Sequence, residues 1–188
     1  MPRTQPAEVR RTQLLDAAAG VLVEKGASAM TVGEVAGRAG LAKGTVYLYF
    51  ETKEDLVAGL QARYTAALVR AARSLVDGPG PHLARLETFL RSMVDLHVSE
   101  RELHHELFHG TGMRDDAALR ELAALLRSFI EDGASAGAFT VDDPAFASEF
   151  LLHGLHGVLI EFVHEQRASK SRFVSSCLES ARHLLGAA

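Results

Sequence analysis

The sequence predicts an all-α fold of about nine helices, a short three-helix head followed by a helical bundle. Three observations predict it. Apolar residues recur at the three- and four-residue spacing of a helix face along most of the 188 residues. No alternating Val/Ile/Thr run bounded by hairpin turns interrupts that pattern. The breaks carry helix punctuation: Gly26, Gly40, the Asp77-Gly78-Pro79-Gly80-Pro81 stretch and Asp143-Pro144.

Each element follows from these signals. Leu14, Ala18, Val21 and Leu22 form one stripe, with Gly26 as its expected C-cap. Thr31 and Glu34 read as a capping box that opens a short second helix, which Gly40 ends. A third helix is expected from Gly44 to Phe50, and Thr52 caps a long fourth from Lys53 to about Ser74. Beyond the Gly-Pro break, helices are expected near 82–99, 101–110 and 115–136. Asp143 as cap and Pro144 at the first helical position start a strongly apolar helix that reaches about Gln166. A last helix is expected from Ser171 to Leu185.

Composition narrows the class. The net charge of −4 argues against a protein that coats nucleic acid throughout. Its distribution is uneven: residues 1–53 carry 7 Lys/Arg against 5 Asp/Glu, and residues 54–188 carry 13 against 19. A mildly basic head on an acidic body can approach a polyanion head first. The single cysteine, Cys177, excludes an intrachain disulfide and a multi-cysteine zinc site. No apolar run is expected to reach membrane-spanning length, and the first residues lack a signal-peptide stretch, so a cytoplasmic protein with no membrane partner is expected.

The most informative stretch runs from Thr31 to Lys53. Ala36 is small where two crossing helices must approach, Gly40 follows four residues later where a tight turn needs positive φ, and Val46 plugs the next helix into the core. Val35, Ala39 and Leu41 complete the buried side. That is a helix-turn-helix. Its remaining face presents Lys43, Thr45, Tyr47, Leu48 and Tyr49, which suits the DNA major groove. Lys43 and Lys53 can neutralise phosphates, and the hydroxyls of Thr31, Thr45, Tyr47 and Tyr49 can donate to phosphate oxygens. Base reading falls to Lys43 and Thr45, with Leu48 against a thymine methyl.

The run from Gly40 to Phe50, followed by Thr52-Lys53-Glu54-Asp55-Leu56, resembles the signature of the tetracycline-repressor (TetR) family of bacterial transcription regulators. The resemblance implies that residues 1–53 bind DNA and that residues 54–188 form a ligand-binding and dimerisation domain. It implies a homodimeric regulator, usually a repressor, on a palindromic operator, released by a small-molecule effector and without a cofactor. Thr31, Gly33, Lys43, Gly44, Thr45, Tyr47, Leu48, Tyr49 and Lys53 are the DNA-binding candidates. Gly33 stands where relatives often carry a longer polar or basic side chain, so less base reading is expected from the second helix.

In the body, the helix near 144–166 is apolar nearly all round and must be covered on several sides. Leu155, Leu159 and Phe162, with Phe173, Cys177, Leu178 and Ala181 of the last helix, are the expected dimer contacts. Expected effector-pocket residues are Tyr64, Phe89, Met93 and His97, together with Phe108, Phe129, Phe150 and His153. They imply an apolar effector with a few polar groups.

One string competes. His105-Glu106-Leu107-Phe108-His109 matches the H-E-x-x-H pattern, in which two imidazoles on one helix face bind zinc and the glutamate acts as general base. Gly112 and Asp115 extend it. A zinc peptidase needs a sheet to hold its substrate, and no strand signal is present. A metal-responsive regulator using His105 and His109, with His153 and His156, is the milder alternative. The remaining enzyme patterns are missing: there is no G-x-S-x-G elbow and no P-loop.

Overall fold

The computed structural model describes residues 6–108, 116–165 and 169–187. Among these, nine helices occur and no strand. They are α1 (Ala7–Ala29), α2 (Val32–Arg38), α3 (Lys43–Tyr47), α4 (Lys53–Asp77), α5 (His82–Ser99), α6 (Arg101–Phe108), α7 (Asp116–Ser135), α8 (Pro144–Glu165) and α9 (Lys170–Leu185).

The chain forms two compact units. The first contains residues 6–64 and 102–108; the second contains 65–101, 116–165 and 169–187. In the first unit, α1 packs on α2 and α2 on α3. Its core is Leu14, Ala18, Leu22, Val35, Val46 and Leu56, all sealed from solvent. Gly59 lets α4 come close, since a Cβ there would lie 2.9 Å from the Phe50 ring. Helix α6 belongs to this unit because the buried Gln61 amide donates to the Leu107 carbonyl at 2.8 Å. The Tyr64 ring also packs on His104 and Phe108, with centroids 5.4 and 5.6 Å away.

The second unit packs α8 against α7, α5 and α9, and α5 against α9. Its core runs from Val69 and Leu86 through Phe129 and Ile130 to Leu151, Val174 and Leu185. A polar cluster at the surface, anchored by the buried Arg85, joins its elements. Arg85 donates to the Leu75 and Val76 carbonyls at the end of α4 and to Asp132 of α7. His82 also bonds Asp132 at 2.9 Å, and the Asp132 carboxyl is held below its usual range by the His82 and Arg85 hydrogen bonds.

Several boundaries differ from the sequence expectations for local reasons. Gly26 (φ 77) kinks α1 instead of ending it; one more turn follows. Helix α3 stops at Tyr47, because Leu48 and Tyr49 donate to Thr45 and Val46 in a tighter i→i−3 pattern. The Asp143 cap is present, its carboxylate accepting from the Phe146 amide at 3.0 Å. One further expectation is corrected: by length and composition, Pro144–Val163 is long and apolar enough to cross a membrane. Its interior carries only two acidic residues, Glu149 and Glu161, and the same helix lies against α5, α7 and α9.

Candidate nucleic-acid interface

The head is built by local rules. At the start of α2 the Thr31 hydroxyl accepts from the Glu34 amide, and the Glu34 carboxylate accepts from the Thr31 amide at 3.1 Å and hydroxyl at 2.8 Å. The same carboxylate pairs with Lys25 of α1. These hydrogen bonds hold Glu34 below its usual range and raise Lys25. The Thr31 proton is thereby committed to the cap, so in this conformation Thr31 positions α2 instead of offering a free donor to phosphate.

The turn is closed by the Leu41 amide on the Ala36 carbonyl at 2.9 Å, with Gly40 at φ 67. Val46 anchors α3 inside, and Phe50 is buried beneath the Arg11 guanidinium, 5.1 Å from its ring centroid. Because Val46 faces in, its neighbours face out. Leu48 is 81% exposed and Tyr47 45%, while Thr45 and Tyr49 are half-buried at the edges. Lys43, Gly44 and Gly33 lie on the open surface. A Cβ added at Gly44 would meet nothing within 4 Å, so no contact inside the chain excludes a larger side chain there.

Lys53 sits differently from the expectation of a free phosphate ligand. Its Nζ donates to the Ala27 carbonyl at 3.1 Å and the Ser28 carbonyl at 3.4 Å, tying the start of α4 to the end of α1. Nothing in its sequence neighbourhood signals a bond 26 residues away.

The expected pocket residues are divided between the two units. Tyr64 and Phe108 pack together in the first unit. Phe89, Met93, His97 and Phe129 belong to the second, where Phe89, His97 and Phe129 are buried. His97 is 1% exposed; its Nδ1 donates to the Met93 carbonyl at 2.9 Å and its ring lies 6.1 Å from that of His156. Burial lowers its pKa to about 4, so it is neutral at pH 7. Phe150 (57% exposed) and His153 do not line an interior; they stand on the outer face of α8, His153 beside Glu149.

The expected dimer contacts are likewise redistributed. Leu159, Cys177 and Ala181 are buried within the chain's own core, which removes them from an outward surface. Leu155, Phe162, Phe173 and Leu178 are half-buried, and Phe162 stacks on Phe173 at 4.2 Å. The outward apolar face of α8 is instead Phe146, Phe150 and Val158, beside Gly154 and Gly157, whose surroundings are open.

Of the zinc-like string, His105 is exposed and Glu106 half-buried, while His109, Gly112 and Asp115 lie outside the described residues. Among the described residues, no three His, Cys, Asp or Glu side chains gather as metal ligands.

Residues 14–60 match the family model described as bacterial regulatory proteins, tetR family. Over 78 residues the chain is 36% identical to the HTH-type transcriptional repressor KstR2 of Mycobacterium tuberculosis, a match covering 42% of this chain and 39% of that protein. With the repressor of the same name from Rhodococcus jostii it is 29% identical over 151 residues, 76% of this chain and 74% of the relative. Among solved structures, the transcriptional regulator FadR from Bacillus subtilis in complex with stearoyl-CoA superposes with a TM-score of 0.74 at 20% identity, covering 90% of this chain and 96% of that one. At that identity the structural likeness speaks for the fold, while the family model falls on the turn and helices described above. The capping box, the Gly40 turn and the outward face of α3 all lie within the matched segment, and over residues 14–60 the chain is similar to the TetR family of bacterial regulatory proteins.

Proposed function

We propose that this protein is a sequence-specific DNA-binding transcriptional repressor, and that it binds a palindromic operator as a homodimer and leaves it when a small-molecule effector binds. Residues 1–53 carry the DNA contacts, and residues 54–188 the effector and the dimer. The observation that carries the reading is the outward face of α3. Tyr47 at the end of α3 and Leu48 just past it stand in solvent, whereas Val46 beside them is fully buried, and Gly44 is unpacked and Lys43 exposed. A large apolar tip on a hydroxyl-rimmed surface fits the major groove, where it can meet a thymine methyl while Thr45, Tyr49 and Lys43 reach phosphates and bases.

The second copy is met through α8. Phe146, Phe150 and Val158 recur at helical spacing along one face, and the two glycines between them admit a helix at close range. The effector is an apolar molecule with a polar head, and a fatty acyl-CoA is the first class to test, because FadR of Bacillus subtilis was solved with stearoyl-CoA. The protein acts in the cytoplasm and is not an enzyme; both relatives above are named as repressors.

Selection of bound DNA from a random pool by the purified protein tests this directly. An enriched inverted repeat, released when stearoyl-CoA is added, is the expected result. A pool without any enriched sequence contradicts the DNA reading, and an operator indifferent to stearoyl-CoA contradicts the effector class alone.

A further inference from the structure

Resting on the DNA-binding reading above, we infer that Gln13, a residue of α1 outside the helix-turn-helix, is a positioning residue for base recognition. The last carbonyls of a helix lack intrahelical donors. At the end of α2, the Ala36 carbonyl takes the Leu41 amide and the Gly37 carbonyl takes the Gly40 amide. The Ala39 carbonyl takes a side chain instead: Gln13 Nε2 donates to it at 2.7 Å, across 26 residues of sequence. Arg10 Nη1 donates to Gln13 Oε1 at 3.0 Å. The amide is therefore fixed in one sense, its oxygen toward a cation and its nitrogen toward a carbonyl.

The place of this bond gives it leverage. Ala39 immediately precedes Gly40, the positive-φ residue of the turn, and α3 begins at Lys43. Most of what holds α3 to the head is apolar packing around Val46, which is non-directional. A short amide-to-carbonyl bond is directional and fixes the angle at which the chain leaves α2. Base contacts need side chains held to a fraction of an ångström, whereas a lysine on a flexible stem finds a phosphate over a wider range. Removing the bond should therefore loosen reading more than binding.

The test uses the full-length protein with Gln13→Met, which keeps length and removes the donor, and Gln13→Glu, which keeps shape and turns an oxygen toward the carbonyl. Fluorescence anisotropy measures affinity for the selected operator, for operators with one base pair changed per half-site, and for random-sequence DNA. Circular dichroism on the same samples reports the fold. Both variants are expected to keep their helicity and their affinity for random DNA, and to lose about tenfold in operator affinity, so that discrimination falls by the same factor. Unchanged discrimination overturns the inference. So does an equal loss on operator and random DNA, which marks a merely structural role, and so does unfolding of both variants, since positioning requires an intact head. If the parent protein selects no sequence at all, it is the DNA-binding reading that fails, and this inference goes with it.

Discussion

Leu48 and Phe150 are both large apolar side chains standing in solvent, one just past α3 and one on α8. Leu48 has a tyrosine on each side, Thr45 within a turn and Lys43 at the start of the same short helix. Phe150 is one of a series: Phe146 precedes it by one turn, their rings 6.1 Å apart, and Val158 continues the line past two unpacked glycines. Exposure alone does not identify a partner; what surrounds the exposed group does. A lone apolar tip in a polar, cationic setting suits a groove edged by phosphates. A continuous apolar ridge with room for a backbone suits another apolar helix. The two surfaces should therefore fail separately when each is altered.

The largest effect is expected on the ridge. Phe150→Glu places a charge at its centre, and dimer dissociation should rise by about a thousandfold or more, with operator affinity falling alongside it. Sedimentation equilibrium checks this, and a variant that remains dimeric at micromolar concentration breaks the comparison. Next comes a property of the body that the three-helix head cannot share, because residues 7–47 contain no histidine. His97 titrates near 4 in the folded protein against 6.5 for an ordinary histidine, burial being the main cause and the neighbouring His156 a smaller one. The unfolded chain takes up this proton as pH falls below 6.5 and the folded chain resists until about 4. The stability associated with neutral His97 is thus complete above pH 6.5 and is lost across that interval, about 3 kcal/mol in all. Urea unfolding at several pH values should show a shallower acid slope in His97→Phe than in the parent; parallel slopes contradict the assignment. The smallest effect belongs to the head. Tyr47→Ala should weaken binding to operator and random DNA alike by about tenfold and leave the dimer intact. An accompanying loss of dimer would show that the two surfaces are not independent.

The same contrast explains what could be read beforehand. The head is specified by signals a few residues apart, and Thr31 with Glu34, Gly40 and Val46 all act as their spacing predicts. Helix α8 is apolar on nearly every side, so it has no period from which to tell its outer face. Phe150 and His153 were expected inside and stand outside, whereas Leu159 and the α9 residue Ala181 were expected at an interface and lie in the core. Bonds between distant residues left no local trace either. The Gln61 amide that joins α6 to the first unit spans 46 residues, and the Lys53 contacts with the end of α1 span about half as many.

The central claim is that the outward face of α3 enters the DNA, and affinity cleavage tests it most directly. Cys177 is buried, with its thiol pushed up by desolvation, so a Leu48→Cys variant can be labelled at residue 48 with an iron chelate that cuts the nearest backbone sugars. On the selected operator, strand breaks should fall in two clusters about 10 base pairs apart, one inside each half-site. Breaks scattered along the duplex, or confined to the flanks of the operator, contradict the account.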